Sequence, residues 1–129
     1  MSDLVRHLEI TLEVEFARLS SYSGGRIESS GDVKTIQGLS GPIKGRNVII
    51  VEDIVDTGLT LSYFISLLQE KKPKSVKVCA LFDKPERREV TVPIDYRGLT
   101  VPNTFVVGYG LDFDEKYREL PGLYSIKGD

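Results

Sequence analysis

This chain of 129 residues is nearly without cysteine and histidine, having one of each. A single cysteine, Cys79, excludes an intramolecular disulfide and suits a reducing compartment. It lies in Val76-Lys77-Val78-Cys79-Ala80-Leu81, where a buried strand thiol is the expected reading. The single histidine, His7, has no Cys or second His at ligand spacing and reads as structural or surface. No excess of positive charge exists: Lys and Arg number 17 against 19 Asp and Glu, a net charge of -2 that gives no reason to expect nucleic acid. No apolar run reaches transmembrane length and the N-terminus shows no signal-peptide pattern, so a cytoplasmic chain without a membrane partner is expected. Repeats and low-complexity tracts are also missing. What remains, 40% hydrophobic and 28% charged residues, describes one globular domain over residues 1–129.

The informative stretch is Val48-Ile49-Ile50-Val51-Glu52-Asp53-Ile54-Val55-Asp56-Thr57-Gly58-Leu59-Thr60. An unbroken apolar run marks a strand covered on both faces, as in a parallel sheet. It delivers two adjacent carboxylates, a third acid and a Thr-Gly-x-Thr turn into a helix starting near Leu59. The first amides of that helix have no intrahelical partner, and with two hydroxyls they form a cradle sized for a phosphate. A capped strand-turn-helix, with Asp56 or Thr57 as N-cap, needs one acid and not three. Neighbouring carboxylates raise each other's pKa unless a cation compensates, which argues for a metal near Glu52 and Asp53.

These residues resemble the phosphoribosyl-pyrophosphate motif of the purine phosphoribosyltransferases, above all the hypoxanthine-guanine branch, and the resemblance continues through Lys84 and Phe105-Val106-Val107-Gly108-Tyr109-Gly110-Leu111-Asp112. It implies the type I phosphoribosyltransferase fold: α/β, with an open, mainly parallel sheet. It also implies transfer of a phosphoribosyl group from phosphoribosyl pyrophosphate to hypoxanthine or guanine, giving IMP or GMP and pyrophosphate, with Mg2+ as cofactor and a homodimer or homotetramer as the assembly. On the matching positions, Asp56 would be the catalytic base at purine N7. Asp56, Thr57, Gly58, Leu59 and Thr60 would hold the 5′-phosphate, and Glu52 and Asp53 the ribose hydroxyls. Lys84 would donate to a purine O6, Phe105 would stack on the ring, and the Val106 backbone would read its edge. Asp112 would contact the purine side and, with Glu52 and Asp53, support magnesium. Arg118 would contact pyrophosphate. Ser21-Tyr22 match the family's lid loop, inside a Ser- and Gly-rich segment expected to be mobile over about 20–33.

The remaining pattern fits βαβ units. Ile10, Leu12, Val14 and Phe16 alternate with Thr11, Glu13 and Glu15, which predicts a strand. Leu61, Phe64, Ile65 and Leu68 form the apolar stripe of a helix ended by Lys71-Lys72-Pro73. Further strands are expected over 75–81, 96–101 and 104–107. Nothing in residues 1–22 matches the family's Leu-Lys-Gly-like pyrophosphate loop, so the expectation is a domain truncated at its N-terminus, lacking one strand and that loop. A fragment or mis-set start, two strands closing up, or a second subunit filling the gap would account for it. The rival reading is a non-catalytic nucleotide-binding regulator, or an inactive fragment, of the same fold.

Overall fold

A computed structural model describes residues 1–19, 39 and 41–126 of the chain. A short helix α1 (Ser2–Arg6) is followed by β1 (Asn47–Val55), α2 (Leu59–Glu70), β2 (Ser75–Asp83), a 3-10 turn (Pro85–Arg87), β3 (Tyr96–Thr100), β4 (Val106–Val107) and β5 (Tyr124–Ser125). The main sheet is three-stranded in the order β1-β2-β3, and both pairings are parallel. Such pairing requires a crossover, and α2 supplies it between β1 and β2. The register runs from Asn47 opposite Ser75 to Val55 opposite Asp83. The C-terminal ends of the two strands therefore finish level.

Helix α2 forms where its sequence stripe predicts. Leu61, Phe64 and Leu68 are buried, and Ile65 packs beside them against Ile43, Ile50, Val55, Val78 and Ala80. Lys72 takes a left-handed φ of 55°, and Pro73 cannot extend the helix. The exit is then tied to the start of β1, because Gly45 N–H donates to Lys72 O at 3.0 Å and Lys74 N–H to Arg46 O at 2.8 Å. A second apolar cluster of Phe82, Val101, Val106 and Leu111 lies beyond the end of β2. The other face of the main sheet is wetter, with Ile49, Lys77 and Leu81 exposed.

Two expected strands differ. Residues 11–17 form no strand: Ile10 and Phe16 are 65% and 72% exposed, so the alternation sorts no buried face. A strand exists only with a neighbouring backbone, and among the described residues none pairs with this segment. A side-chain ion pair from Glu13 to Arg46 at 2.9 Å links it to the domain. The segment expected at 104–107 is reduced to β4, which leaves the parallel sheet and pairs antiparallel with β5. Pro102 has no N–H to give a ladder, and its carbonyl accepts from Thr104 N–H at 2.8 Å, which turns the chain aside. Among the described residues no helix is long and apolar enough to cross a membrane. The expected lid pair Ser21 and Tyr22 lies outside the described residues.

Candidate active site

Strand β1 ends at Val55, and α2 begins four residues later, leaving Asp56-Thr57-Gly58 as the turn. Gly58 is the helix N-cap at φ 85°, a left-handed conformation that L side chains resist. A Cβ there would also lie 2.6 Å from Val90 O, so glycine is required twice over. No side chain caps the helix in the usual manner; the Thr57 hydroxyl accepts only a long 3.4 Å bond from Leu59 N–H. Helix-start amides thus stay directed outward for a ligand. A cavity of about 150 Å³ opens here, lined by Glu52, Ile54, Val55, Asp56, Thr57, Gly58, Thr60 and Leu61. A larger depression of about 240 Å³ lies at the opposite end of the sheet, between Gln69 and Pro73–Val76, and carries no carboxylate.

Glu52 is half-buried in this cavity, and its carboxyl is pushed above the ordinary carboxylate range, first by burial and then by the charge of Asp53, with no cation among the described residues to offset either. Asp53 follows Glu52 along the strand, so it projects from the other side; it is exposed, and its Oδ1 accepts from Ile54 N–H at 2.7 Å. Asp56 lies at the cavity's edge. Its Oδ1 is buried and accepts no hydrogen bond, although Arg87 Nε forms an ion pair with it at 2.9 Å in poor alignment for one.

At the end of β2 two charged residues are buried together, Asp83 at 1% and Lys84 at 7% exposure. Asp83 is neutralised by Arg88, whose Nη2 donates to Oδ1, and by Arg97 Nε, 2.8 Å from Oδ2. Lys84 N–H donates to Val55 O at 3.0 Å, and its Nζ donates to Thr104 O at 2.7 Å. Lys84 is therefore a buried amine directed at the segment that carries Phe105 and Val106. Val106 is buried, whereas Phe105 is half exposed and packs edge-to-face on Phe113, with ring centroids 5.3 Å apart.

Asp112 and Arg118 belong to a tightly wound loop in which Tyr109, Asp114, Glu115 and Tyr117 all have positive φ. They are paired with each other at 3.0 Å, and Arg118 Nη1 also donates to Gly110 O at 2.9 Å. Among the described residues no group of three His, Cys, Asp or Glu side chains is placed to hold a metal ion, so Glu52, Asp53 and Asp112 do not form one cage. Magnesium is commonly held by only one or two carboxylates plus substrate phosphates, and Glu52, half-buried at the cavity, fits that demand.

The structure thus gathers Glu52, Asp56, Thr57, Gly58 and Thr60 around one cavity. Lys84 sits at the same strand end, and Asp112 and Arg118 are engaged with one another. Sequence reasoning passed over Asp83, Arg87, Arg88 and Arg97. The one signal for them was an acid closing the otherwise apolar Ala80-Leu81-Phe82 run.

Similarity to known proteins agrees with this geometry. The sequence model of the phosphoribosyl transferase domain matches residues 1–114. The hypoxanthine-guanine phosphoribosyltransferase of Bacillus subtilis is 46% identical over 127 residues, covering 98% of this chain and 70% of that protein. The bifunctional protein TilS/HprT of Listeria innocua is 49% identical over 98% of this chain, which spans only 19% of the relative. A crystal structure of a hypoxanthine-guanine phosphoribosyltransferase from Bacillus anthracis, with a HEPES molecule in its active site, superposes with a TM-score of 0.86 at 44% identity, covering 98% of this chain and 74% of that one. The three-stranded parallel sheet with its crossover helix is that of the type I phosphoribosyltransferase fold, and the chain belongs to the phosphoribosyl transferase family, in its hypoxanthine-guanine branch.

Proposed function

We propose that the protein transfers a 5-phosphoribosyl group from phosphoribosyl pyrophosphate to hypoxanthine or guanine, forming IMP or GMP and releasing pyrophosphate. The observation that carries this reading is the level ending of β1 and β2. It puts an acid-lined phosphate cradle and a buried lysine amine at one edge of the sheet. Ligands of open α/β sheets bind beyond the carboxyl ends of the strands.

In this reading the amides and hydroxyls of Thr57, Gly58, Leu59 and Thr60 receive the 5′-phosphate, and Glu52 and Asp53 accept from the ribose hydroxyls. The reaction breaks the bond from ribose C1 to pyrophosphate, whose oxygen keeps the electron pair, and forms a bond from C1 to a purine nitrogen. Positive charge grows on the sugar in between, so catalysis consists of placement and charge balance. Asp56, at the edge of the cavity, takes the proton that the purine releases. Lys84 donates to O6; a 6-amino group would confront it with a second donor, which favours 6-oxopurines over adenine. Phe105 stacks on the base and the Val106 backbone reads its edge. Bound magnesium would neutralise pyrophosphate charge, held through Glu52 together with the substrate phosphates, and Arg118 would be the pyrophosphate contact. The protein works in the cytoplasm as a homodimer or homotetramer.

Incubation with phosphoribosyl pyrophosphate, hypoxanthine and magnesium tests the proposal, and IMP formation is the expected result. IMP binding without turnover would instead favour the nucleotide-binding regulator or inactive fragment. Asp56→Asn keeps the shape and removes the proton acceptor, so turnover should fall by about 10²–10⁴ while IMP affinity stays within a few-fold. Equal loss of both contradicts the assignment. Lys84→Ala is expected to reduce discrimination of IMP over AMP about tenfold, the value of one charge-assisted hydrogen bond. Unchanged selectivity in competition binding would remove Lys84 from base recognition.

Glu52 gives a pH test. With its carboxyl held above the reference value of 4.5, the folded chain binds that proton more tightly than the unfolded chain does. The group costs nothing at pH below 4.5, where it is neutral in both states, and its cost grows as pH rises through the raised folded value. Glu52→Gln should therefore raise the ligand-free Tm at pH 7 and leave it unchanged near pH 4. A Tm that falls equally at both pH values contradicts this.

A further inference from the structure

Residues 85–90 do more than connect β2 to the next strand. They lie directly over the phosphate turn, with Glu89 N–H and Val90 N–H both donating to Thr57 O, at 2.9 and 3.1 Å. One side chain of this segment reaches back to the sheet. Arg88 is bound through Nη2 to the fully buried Asp83, and its stem lies against Gly58: a Cβ on that glycine would stand 3.1 Å from Arg88 Cδ and 3.3 Å from Nη1. Arg88 Nη1 is itself buried and has no hydrogen-bond partner among the described residues.

We infer that Arg88 is a positioning residue for phosphate binding: anchored by Asp83, it braces the Thr57-Gly58 turn so that the helix-start amides keep their aim. The inference rests on the proposed role of this turn as the 5′-phosphate site. Three physical points carry it. A left-handed glycine turn has no side chain of its own to fix it, so its conformation must be set by what packs on it. Removing one partner of a buried ion pair leaves the other uncompensated, so Asp83 strongly dictates where Arg88 lies. A guanidinium forks, and can hold a carboxylate with one nitrogen while another stays against the turn, which an ammonium cannot do.

Asp83 also supplies an internal control. Arg97 shares the same carboxylate from β3, whereas the atoms nearest a Cβ placed on Gly58 belong to Val90 and Arg88. A purely structural ion cluster predicts that losing either arginine has the same consequences. A positioning role predicts that only Arg88 affects phosphate.

The test is calorimetric titration of the full chain, wild type, Arg88→Gln and Arg97→Gln, with ribose 5-phosphate, IMP and inosine, each with a thermal melt. Arg88→Gln should lose about tenfold in affinity for both phosphate-bearing ligands and leave inosine unchanged. Arg97→Gln should lower Tm and retain phosphate affinity. Where Arg88→Gln does not fold, Arg88→Lys keeps the charge without the fork and should show the same selective loss, only smaller. Wild-type affinity for ribose 5-phosphate in the Arg88 variants, or a proportionate loss of inosine, overturns the inference. A wild type that binds ribose 5-phosphate but gains nothing from the base of IMP refutes the purine reading and leaves Arg88 tested. A wild type that binds neither phosphate ligand overturns both.

Discussion

The site depends on one constraint, the parallel register that sets Val55 opposite Asp83. Because side chains alternate along a strand, slipping β2 by one residue would turn Phe82 outward and Lys84 away from the cavity. The register is fixed by burial: Val78, Ala80 and Phe82 are nearly inaccessible, and the matching face of β1 carries Ile50 and Ile54. The hydrophobic packing beneath α2 thus decides where the charges above the strand ends stand. Lys84 N–H to Val55 O extends the ladder one step past the strands, so Lys84 and the Asp56-Thr57-Gly58 turn share a backbone frame.

Charge is buried here at a cost that must be met locally. An isolated carboxylate or amine without partners would be neutralised or excluded. Asp83 avoids this with two arginines, and Lys84 with the Thr104 carbonyl. Each solution ties a loop to the strand end, residues 85–90 in the first case and 101–106 in the second. Glu52 is the exception, a half-buried acid with an acidic neighbour and no cation among the described residues. Strained or uncompensated groups are expected where a ligand completes the arrangement. The same contrast separates Glu52 from Asp112, whose charge Arg118 already balances.

Much of this was legible in the sequence because it depends on local pattern. The stripe Leu61, Phe64, Ile65 and Leu68 marks α2 whatever surrounds it, and the apolar run ending in acids marks β1 and its turn. The alternation from Ile10 to Phe16 was misleading for the reason that a strand is a property of two segments, and pattern within one cannot supply the second. The arginine cluster was illegible because Asp83, Arg88 and Arg97 are brought together only by the sheet and by the 85–90 loop folding back. Arg87 and Arg88, adjacent in sequence, separate in role: one reaches Asp56 and the other Asp83.

The proposed site divides a purine nucleotide between two loops, one for the phosphate and one for the base, joined by one strand register. The most direct measurement is the change in backbone amide chemical shifts of the isotope-labelled chain on adding ribose 5-phosphate and then IMP. The account predicts that ribose 5-phosphate shifts Thr57 to Thr60, and that IMP shifts these together with Lys84, Phe105 and Val106. Identical shift patterns for the two ligands, or shifts confined to the opposite end of the sheet around Gln69 to Val76, would contradict it.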